Sequence, residues 1–257
     1  MPELPEVETL CRQLHARIAG KKILATAIYD RKLAGLGSVK GRMIRVVRRS
    51  GKTIVLMLND GRSITIHLRM TGRLFWQQDR KREPHTRWRM TLADGNVDLV
   101  DPRCFATVKV EATGQEKDFK DLMTDFNEKT FLEKQSARKV SVKTLLMDPK
   151  AIAGIGNIYA CEILHRAGIS PFRQSATLSE REWKTVFRQA RCILKKGIEK
   201  RGTSISDWRD LDGCQGENQN ELKAYRQEGK TCCICGGVIA RVKQGGRSTF
   251  YCPQCQM

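Results

Sequence analysis

No stretch of this chain approaches the roughly 18 consecutive apolar residues that a membrane-spanning helix requires. The N-terminus carries Glu3, Glu6 and Glu8 and has no apolar signal segment. These absences point away from a helical membrane protein or a secreted one, and the expectation is a soluble, cytoplasmic chain. Internal repeats and low-complexity tracts are also lacking, which sets aside solenoid and disordered-array architectures. Acidic residues are the scarce charged class: 28 Asp and Glu stand against 47 Lys and Arg, a formal charge of +19. The basic residues are spread along the chain rather than gathered in a tail, so the expected partner is a polyanion. Ribosomal and membrane-surface proteins share that charge, but together with the motifs below it favours nucleic acid, bound in a strongly salt-dependent way.

The 257 residues suffice for one large domain or two to three small ones. Residues 5 to 19 read as a helix, with Pro5 suited to its first turn, Glu6 and Glu8 at the positive dipole end, and Val7, Leu10, Leu14 and Ile18 on one face. Strand patterns follow from Met43 to Arg49, Thr53 to Leu58, Ser63 to Leu68, Trp88 to Leu92 and Val97 to Val100, punctuated by turns at Ser50-Gly51, Asp60-Gly61 and Asp94-Gly95. An antiparallel sandwich or barrel is the expected result. A polar stretch around residues 112 to 125, containing Gly114, marks a domain boundary, after which helical periodicity takes over. Ser179 and Glu182 form a capping box ahead of a long helix whose apolar side is Trp183, Val186, Phe187, Ala190, Ile193, Leu194 and Ile198. The polar segment from Arg201 to Asn220 reads as a mobile loop.

Ten cysteines suggest disulfides only in a secreted protein, and here four of them are paired near the C-terminus. Cys232, Cys235, Cys252 and Cys255 form C-x2-C-x16-C-x2-C, so each close pair can grip one ion while the intervening residues form a hairpin. Four thiolates leave no open position, which predicts one structural metal, zinc before iron. Cys233 is a spare thiol. Arg241, Lys243 and Arg247 make the hairpin basic, either as a solvated surface or as a DNA contact.

If Met1 is removed, Pro2 presents a secondary amine at a helix start, where the dipole discourages protonation. Such an amine can attack a sugar carbon, and its iminium has no N-proton to lose, so it remains an electron sink for elimination. Glu3 lies alongside as a proton shuttle, and Glu6 follows one turn on. Taken alone, Met-Pro followed by Glu is equally an ordinary helix opening.

The string MPELPEVET resembles the N-terminus of the bacterial formamidopyrimidine-DNA glycosylases, within the wider family that includes endonuclease VIII. Similar landmarks recur in family order: SGKT around Lys52, HLRMTGRL from His67, DPRCF from Asp101, AGIGNIYA from Ala153 and GRSTFYCPQC from Gly246. The resemblance implies an α+β multidomain protein: an N-terminal helix plus antiparallel β-sandwich over residues 1–118, a helix-two-turn-helix domain with a lesion loop over 119–225, and a C-terminal zinc ribbon with four cysteine ligands over 226–257. Double-stranded DNA carrying a damaged base or abasic site is the implied partner of a monomeric, nucleoid-associated enzyme. Its implied reaction is excision of oxidised purines, 8-oxoguanine and formamidopyrimidines, followed by β,δ-elimination, so that one protein is both DNA glycosylase and AP lyase.

The same resemblance makes Pro2 the nucleophile, Glu3 its proton-transfer partner, and Lys52 a phosphate contact that supports base release. Strand alternation leaves His67 on the polar side, opposite Ile64, Ile66 and Leu68, free to meet phosphate. Gly154 and Gly156 let the chain turn into a helix whose first amides, with Asn157, can hold a phosphate, although GIGN alone is also an interhelical turn. Arg247 resembles the ribbon arginine that grips the phosphate beside the lesion. Extrusion of a base leaves a gap, and Met70, Arg103 and Phe105 resemble the set that fills it. By residue type alone, Met70 and Phe105 would be core, Arg103 and Lys52 turn residues, and His67 structural.

Departures from the pattern fall at Arg69 and Ala106, where glycine is expected, at Cys104, where arginine is expected, at Arg201, where two glycines are usual, and at Glu217 and Asn218, where an aromatic is common. Two other readings stand beside the first: an oxidised-pyrimidine glycosylase of the endonuclease VIII branch, against which Leu4 speaks, and a non-catalytic zinc-ribbon DNA-binding protein.

Overall fold

The computed structural model describes residues 1–79, 81–112, 120–134 and 138–257. The chain divides into two compact units, Met1–Asp118 with Lys200–Glu217, and Phe119–Glu199 with Asn218–Met257. The polar stretch expected to hold a domain boundary includes residues 113–119, which lie outside the described residues. Among the described residues no helix is long and apolar enough to cross a membrane.

The first unit opens with α1 (Leu4–Ile18), one residue earlier than its sequence pattern suggests. Val7, Leu10, Leu14 and Ile18 are all buried, as their spacing requires. Two four-stranded antiparallel sheets follow. One has the order β1 (Ala25–Ile28), β6 (Thr86–Leu92), β7 (Gly95–Val100), β5 (Arg73–Gln77); the other runs β2 (Ile44–Ser50), β3 (Thr53–Leu58), β4 (Arg62–His67), β8 (Thr107–Ala112). Both sheets and α1 contribute to one apolar cluster, which includes Leu10, Leu14, Ile54, Leu56, Ile64, Ile66, Leu74, Met90 and Leu99. Charge buried between β6 and β7 is paired: Arg89 and Asp98 face each other across the two strands and make two bonds of 2.6 Å.

Strand β4 places Ile64 and Ile66 in that core, joined by Leu68 just after it, but its other face is not the solvated surface that alternation suggests. Ser63 and Thr65 are buried, and Thr65 donates to Glu111 on the neighbouring β8. Of the segment from Arg201 to Asn220 expected as a mobile loop, the part up to Glu217 packs with the first unit, where Trp208 and Leu211 join its core. Leu211 also accepts from the Trp76 amide and donates to the Gln13 side chain.

The second unit contains α2 (Glu128–Lys134), α3 (Val142–Leu146), α4 (Asn157–Ala167) and α5 (Glu180–Glu199), then a hairpin of β9 (Ala240–Gln244) and β10 (Arg247–Tyr251). The capping box of α5 is present: the Ser179 amide donates to Glu182 at 2.8 Å, and the Glu182 amide returns to Ser179 Oγ at 3.3 Å. Glu182 also accepts from Arg173, which, more than any other contact, pulls its carboxyl down to about 2. Phe126, Phe131, Trp183 and Phe187 pack as an aromatic cluster with centroids 4.9 to 5.8 Å apart. Together these elements make an α+β multidomain chain with antiparallel sheets, a helical region and a cysteine-rich hairpin.

Candidate nucleic-acid site and metal centre

Pro2 is half-buried immediately before Glu3, the residue that caps α1. Glu3 and Glu6 form a reciprocal capping box, in which the Glu3 amide donates to Glu6 Oε2 at 2.7 Å. The other oxygen of Glu6 accepts the Thr203 amide at 2.7 Å. One buried carboxylate therefore ties the N-terminal turn to residues 200–217, a link that sequence spacing across 197 residues could not reveal. The approach is close enough to demand glycine. A Cβ at Gly202 would lie 2.8 Å from Glu6 Cγ at a φ of +85°, and one at Gly216 would lie 2.2 Å from the Gly202 carbonyl. The neck of this segment is held by Arg201, which pairs with Glu217 at 3.0 Å and Asp210 at 3.4 Å. Two of the departures from the family pattern thus meet in one ion pair.

Lys52 sits in the two-residue turn between β2 and β3, where Ser50 pairs with Thr53. Arg49, its side chain 3 % exposed, donates to Glu8 of α1 at 3.0 Å and to the Gly51 carbonyl at 3.1 Å, and so fixes the lysine turn relative to the helix start. In the next ladder Thr53 pairs with His67, bringing Lys52 and His67 into the same neighbourhood. Burial first, then the charges of Arg69 and Lys52, push the His67 imidazole down to about 4. Its Nδ1 accepts the Arg69 amide at 3.1 Å, so the neutral ring carries its proton on Nε2. The half-buried His67 can therefore offer an anion a hydrogen bond, not a positive charge.

Core packing is not the role of Met70 and Phe105, which are 53 % and 45 % exposed. The Arg103 guanidinium lies 4.7 Å over the Phe105 ring. Asp101, fully buried, organises both loops. Its carboxylate accepts from Thr71 Oγ1 at 2.5 Å, from the amides of Phe105 and Ala106 at 2.7 Å each, from the Arg103 amide at 3.2 Å and from Arg87 at 3.2 Å. Burial alone would raise its pKa, but the Ala106 amide, the Thr71 hydroxyl and the other donors outweigh it and hold the carboxyl below its usual range. Thr71 follows Met70, so one carboxylate ties the methionine loop to the Arg103 and Phe105 loop. The motif DPRCF carried this signal, since an aspartate before a turn is suited to accepting amides two to five residues on. Arg69 and Cys104 both adopt φ of 55°, a left-handed conformation that explains why glycine suits the first position.

In the second unit Asn157 opens α4, and its Nδ2 donates to the Ser248 carbonyl of the hairpin at 2.9 Å, while its Oδ1 is buried without a partner. One of its two amide hydrogens is thus already committed to the hairpin. Glu162, further along the same helix, accepts the amides of Lys223, Ala224 and Tyr225 at 2.7 to 2.9 Å. Buried Lys143 donates to Thr249 Oγ1 at 2.7 Å. Arg247 is exposed at the tip of the hairpin, with no carboxylate at ion-pair distance among the described residues, whereas Arg241 pairs with Glu228 at 3.2 Å.

The four motif cysteines converge. Their sulfurs all lie within 4.8 Å of one another, with Cys232 to Cys255 at 3.8 Å and Cys235 to Cys252 at 3.5 Å. A tetrahedron with metal–sulfur bonds of about 2.3 Å has edges of about 3.8 Å, so the donor set fits one structural Zn2+.

Residues 1–108 match the formamidopyrimidine-DNA glycosylase N-terminal domain, residues 119–208 match the H2TH domain of the same enzymes, and residues 229–256 match the zinc finger found in FPG and IleRS. The formamidopyrimidine-DNA glycosylase of Carboxydothermus hydrogenoformans is 40 % identical over 266 residues, covering all of both chains, and that of Lactococcus lactis subsp. cremoris is 36 % identical over 275, covering all of this chain and 99 % of the other. Among solved structures, Lactococcus lactis Fpg in complex with abasic-site DNA aligns with a TM-score of 0.91 at 33 % identity over 99 % of each chain. MutM in complex with DNA containing carbocyclic 8-oxo-G aligns at 0.88 and 32 %, over the whole of both chains. Fold, metal site and sequence define a DNA-repair glycosylase that acts on damaged bases. The chain belongs to the formamidopyrimidine-DNA glycosylase family.

Proposed function

We propose that this chain excises oxidised purines, 8-oxoguanine and formamidopyrimidines, from double-stranded DNA and then cleaves the strand through a covalent adduct on Pro2. The observation that carries this reading is the position of Pro2, directly ahead of the Glu3 and Glu6 capping box at the positive end of α1. Once Met1 is removed, the Pro2 nitrogen bonds to C1′ as the base leaves, and opening of the C1′–O4′ bond gives an iminium. Glu3 carries protons to and from the sugar. Loss of a C2′ proton expels the 3′ phosphate in the β step, and a second elimination expels the 5′ phosphate. Water then releases the sugar fragment and returns the amine.

Lys52 and His67 are proposed as phosphate contacts, the lysine by charge and the histidine by its Nε2–H. Asn157 and Arg247 are proposed for phosphates as well. Met70, Arg103 and Phe105 are proposed to fill the space vacated by the extruded base, a use supported by the exposure of the two apolar side chains. The similar structures hold abasic-site and 8-oxo-G DNA, and the same class of duplex is proposed here.

Borohydride trapping on an 8-oxoguanine duplex tests the reading. The native protein should form a covalent adduct, whereas Pro2→Gly and a form retaining Met1 should form little or none. An equal yield from the Met1-retaining form would sink the assignment of Pro2. Thymine glycol in the same duplex separates purine from pyrimidine specificity, and faster excision of thymine glycol would move the chain to the endonuclease VIII branch. Lys52→Ala should slow base removal more than cleavage of a preformed abasic site; equal slowing of both would count against its role in base release.

A further inference from the structure

Helix α4 reaches the cysteine-rich hairpin through more than its packing face. Near its last turn, His165 is 1 % exposed and places Nε2 at 3.2 Å from Cys232 Sγ, itself in a residue 2 % exposed. Between Asn157 and His165 lie Glu162, bonded to three amides ahead of the first cysteine pair, and Cys161, buried with Cys232, Ile239, Phe250 and Cys252. Eight residues of helix span about 12 Å. The helix therefore grips the hairpin at Ser248 with one end and the first cysteine pair with the other.

We propose that His165 belongs to the metal centre as a positioning residue, donating its Nε2–H to the Cys232 thiolate. A metal-bound cysteine sulfur has no proton and can only accept, so the hydrogen in this contact must come from the imidazole. Four thiolates around one Zn2+ leave excess negative charge on sulfur, and a buried donor drains part of it where water cannot compete. The Ile234 amide, 3.5 Å from the same sulfur, and the Cys235 amide also donate to it. Cys235 and Cys255 are only half-buried, so Cys232 is better protected than either from protons and electrophiles. Nothing in the C-x2-C spacing points to this residue, because it lies 67 positions upstream on a different element.

The test uses the full chain with H165F, which keeps an aromatic ring without a donor, and H165Q, which keeps an N–H at similar reach. Metal release to a chromophoric chelator in the presence of N-ethylmaleimide should be about tenfold faster in H165F than in the native protein, and near native in H165Q. The sulfur-to-metal charge-transfer band of the Co2+-loaded protein should shift in H165F alone. Native release and an unmoved band in H165F overturn the proposal. Equal acceleration in both variants also overturns it, because packing rather than the hydrogen bond would then be the cause. Should H165F fail to fold, ring 15N shifts of His165 in the native Zn2+-loaded protein decide: a protonated Nε2 supports the bond, and a bare one overturns it.

Discussion

The first unit places one apolar core between two sheets and a helix, whereas in the second α3, α4 and α5 bury residues such as Leu145, Leu146, Ile163, Leu164, Val186 and Leu194, and the cysteines gather a small cluster of their own. The first can therefore hold exposed side chains such as Met70 and Phe105 in position with buried polar groups, chiefly Asp101 and Glu6. The cysteine cluster has only Cys161, Cys232, Ile239, Phe250 and Cys252 fully buried, too little apolar area to order some 30 residues unaided. Metal and the side chains of α4 supply the rest. Where a segment stands on a large core, the site rests on hydrogen bonds; where it has only a small cluster, as around the cysteines, the site rests on coordination.

The largest effect should follow metal removal. Chelation is expected to expose residues 229–256 to hydrogen exchange and weaken DNA binding by at least about 100-fold, while β2, β3 and β4 stay protected. Loss of protection in both units together would break the comparison.

Asp101→Asn comes next, because it leaves Arg87 with a weaker partner and gives one acceptor oxygen in place of two. A loss of about 3 kcal/mol in urea unfolding is expected. A change under about 0.5 kcal/mol would show that the loops are held by packing instead.

For His67 the sign runs against an ordinary histidine. Its folded value of about 4 lies below the usual 6.5, so the unfolded chain binds the proton more readily. Its contribution is complete above pH 6.5 and is lost as pH falls toward 4. NMR titration of its ring should give a midpoint near 4 in the free protein and a higher one with DNA, because a phosphate favours the charged ring. An identical midpoint in the two states would remove His67 from the phosphate contacts.

The smallest effect separates two left-handed arginines, Arg69 at φ 55° and Arg201 at φ 56°. Arg69→Gly should raise stability by roughly 0.5 kcal/mol through relief of backbone strain, offset in part by unfolded-state entropy. Arg201→Gly gains the same relief but loses its bonds to Glu217 and Asp210, and should end lower than Arg69→Gly. The reverse order in thermal unfolding would make the ion pairs irrelevant.

Helix α1 was legible from its 3.6-residue apolar stripe behind Pro5, α5 from its own stripe and the Ser179 and Glu182 capping box, and the hairpins from β2 to β4 because two-residue turn signals separate alternating runs. Strand β1, only four residues long, and β5, with a single buried residue, carry no such period, and their place in the sheet comes from their neighbours. Residues 200–217 look polar along the chain because two of their anchors, Trp208 and Leu211, are isolated apolar residues.

Sequence by itself determined the four metal ligands, the helices α1 and α5 and the hairpins from β2 to β4, since each depends on residue type and short spacing. Tertiary structure alone decided that Glu6 binds Thr203, that Asp101 unites two loops, that burial and the charges of Arg69 and Lys52 push the His67 imidazole down, and that His165 meets Cys232. Those pairings depend on burial and on contacts between distant segments, and neither is encoded in any local pattern.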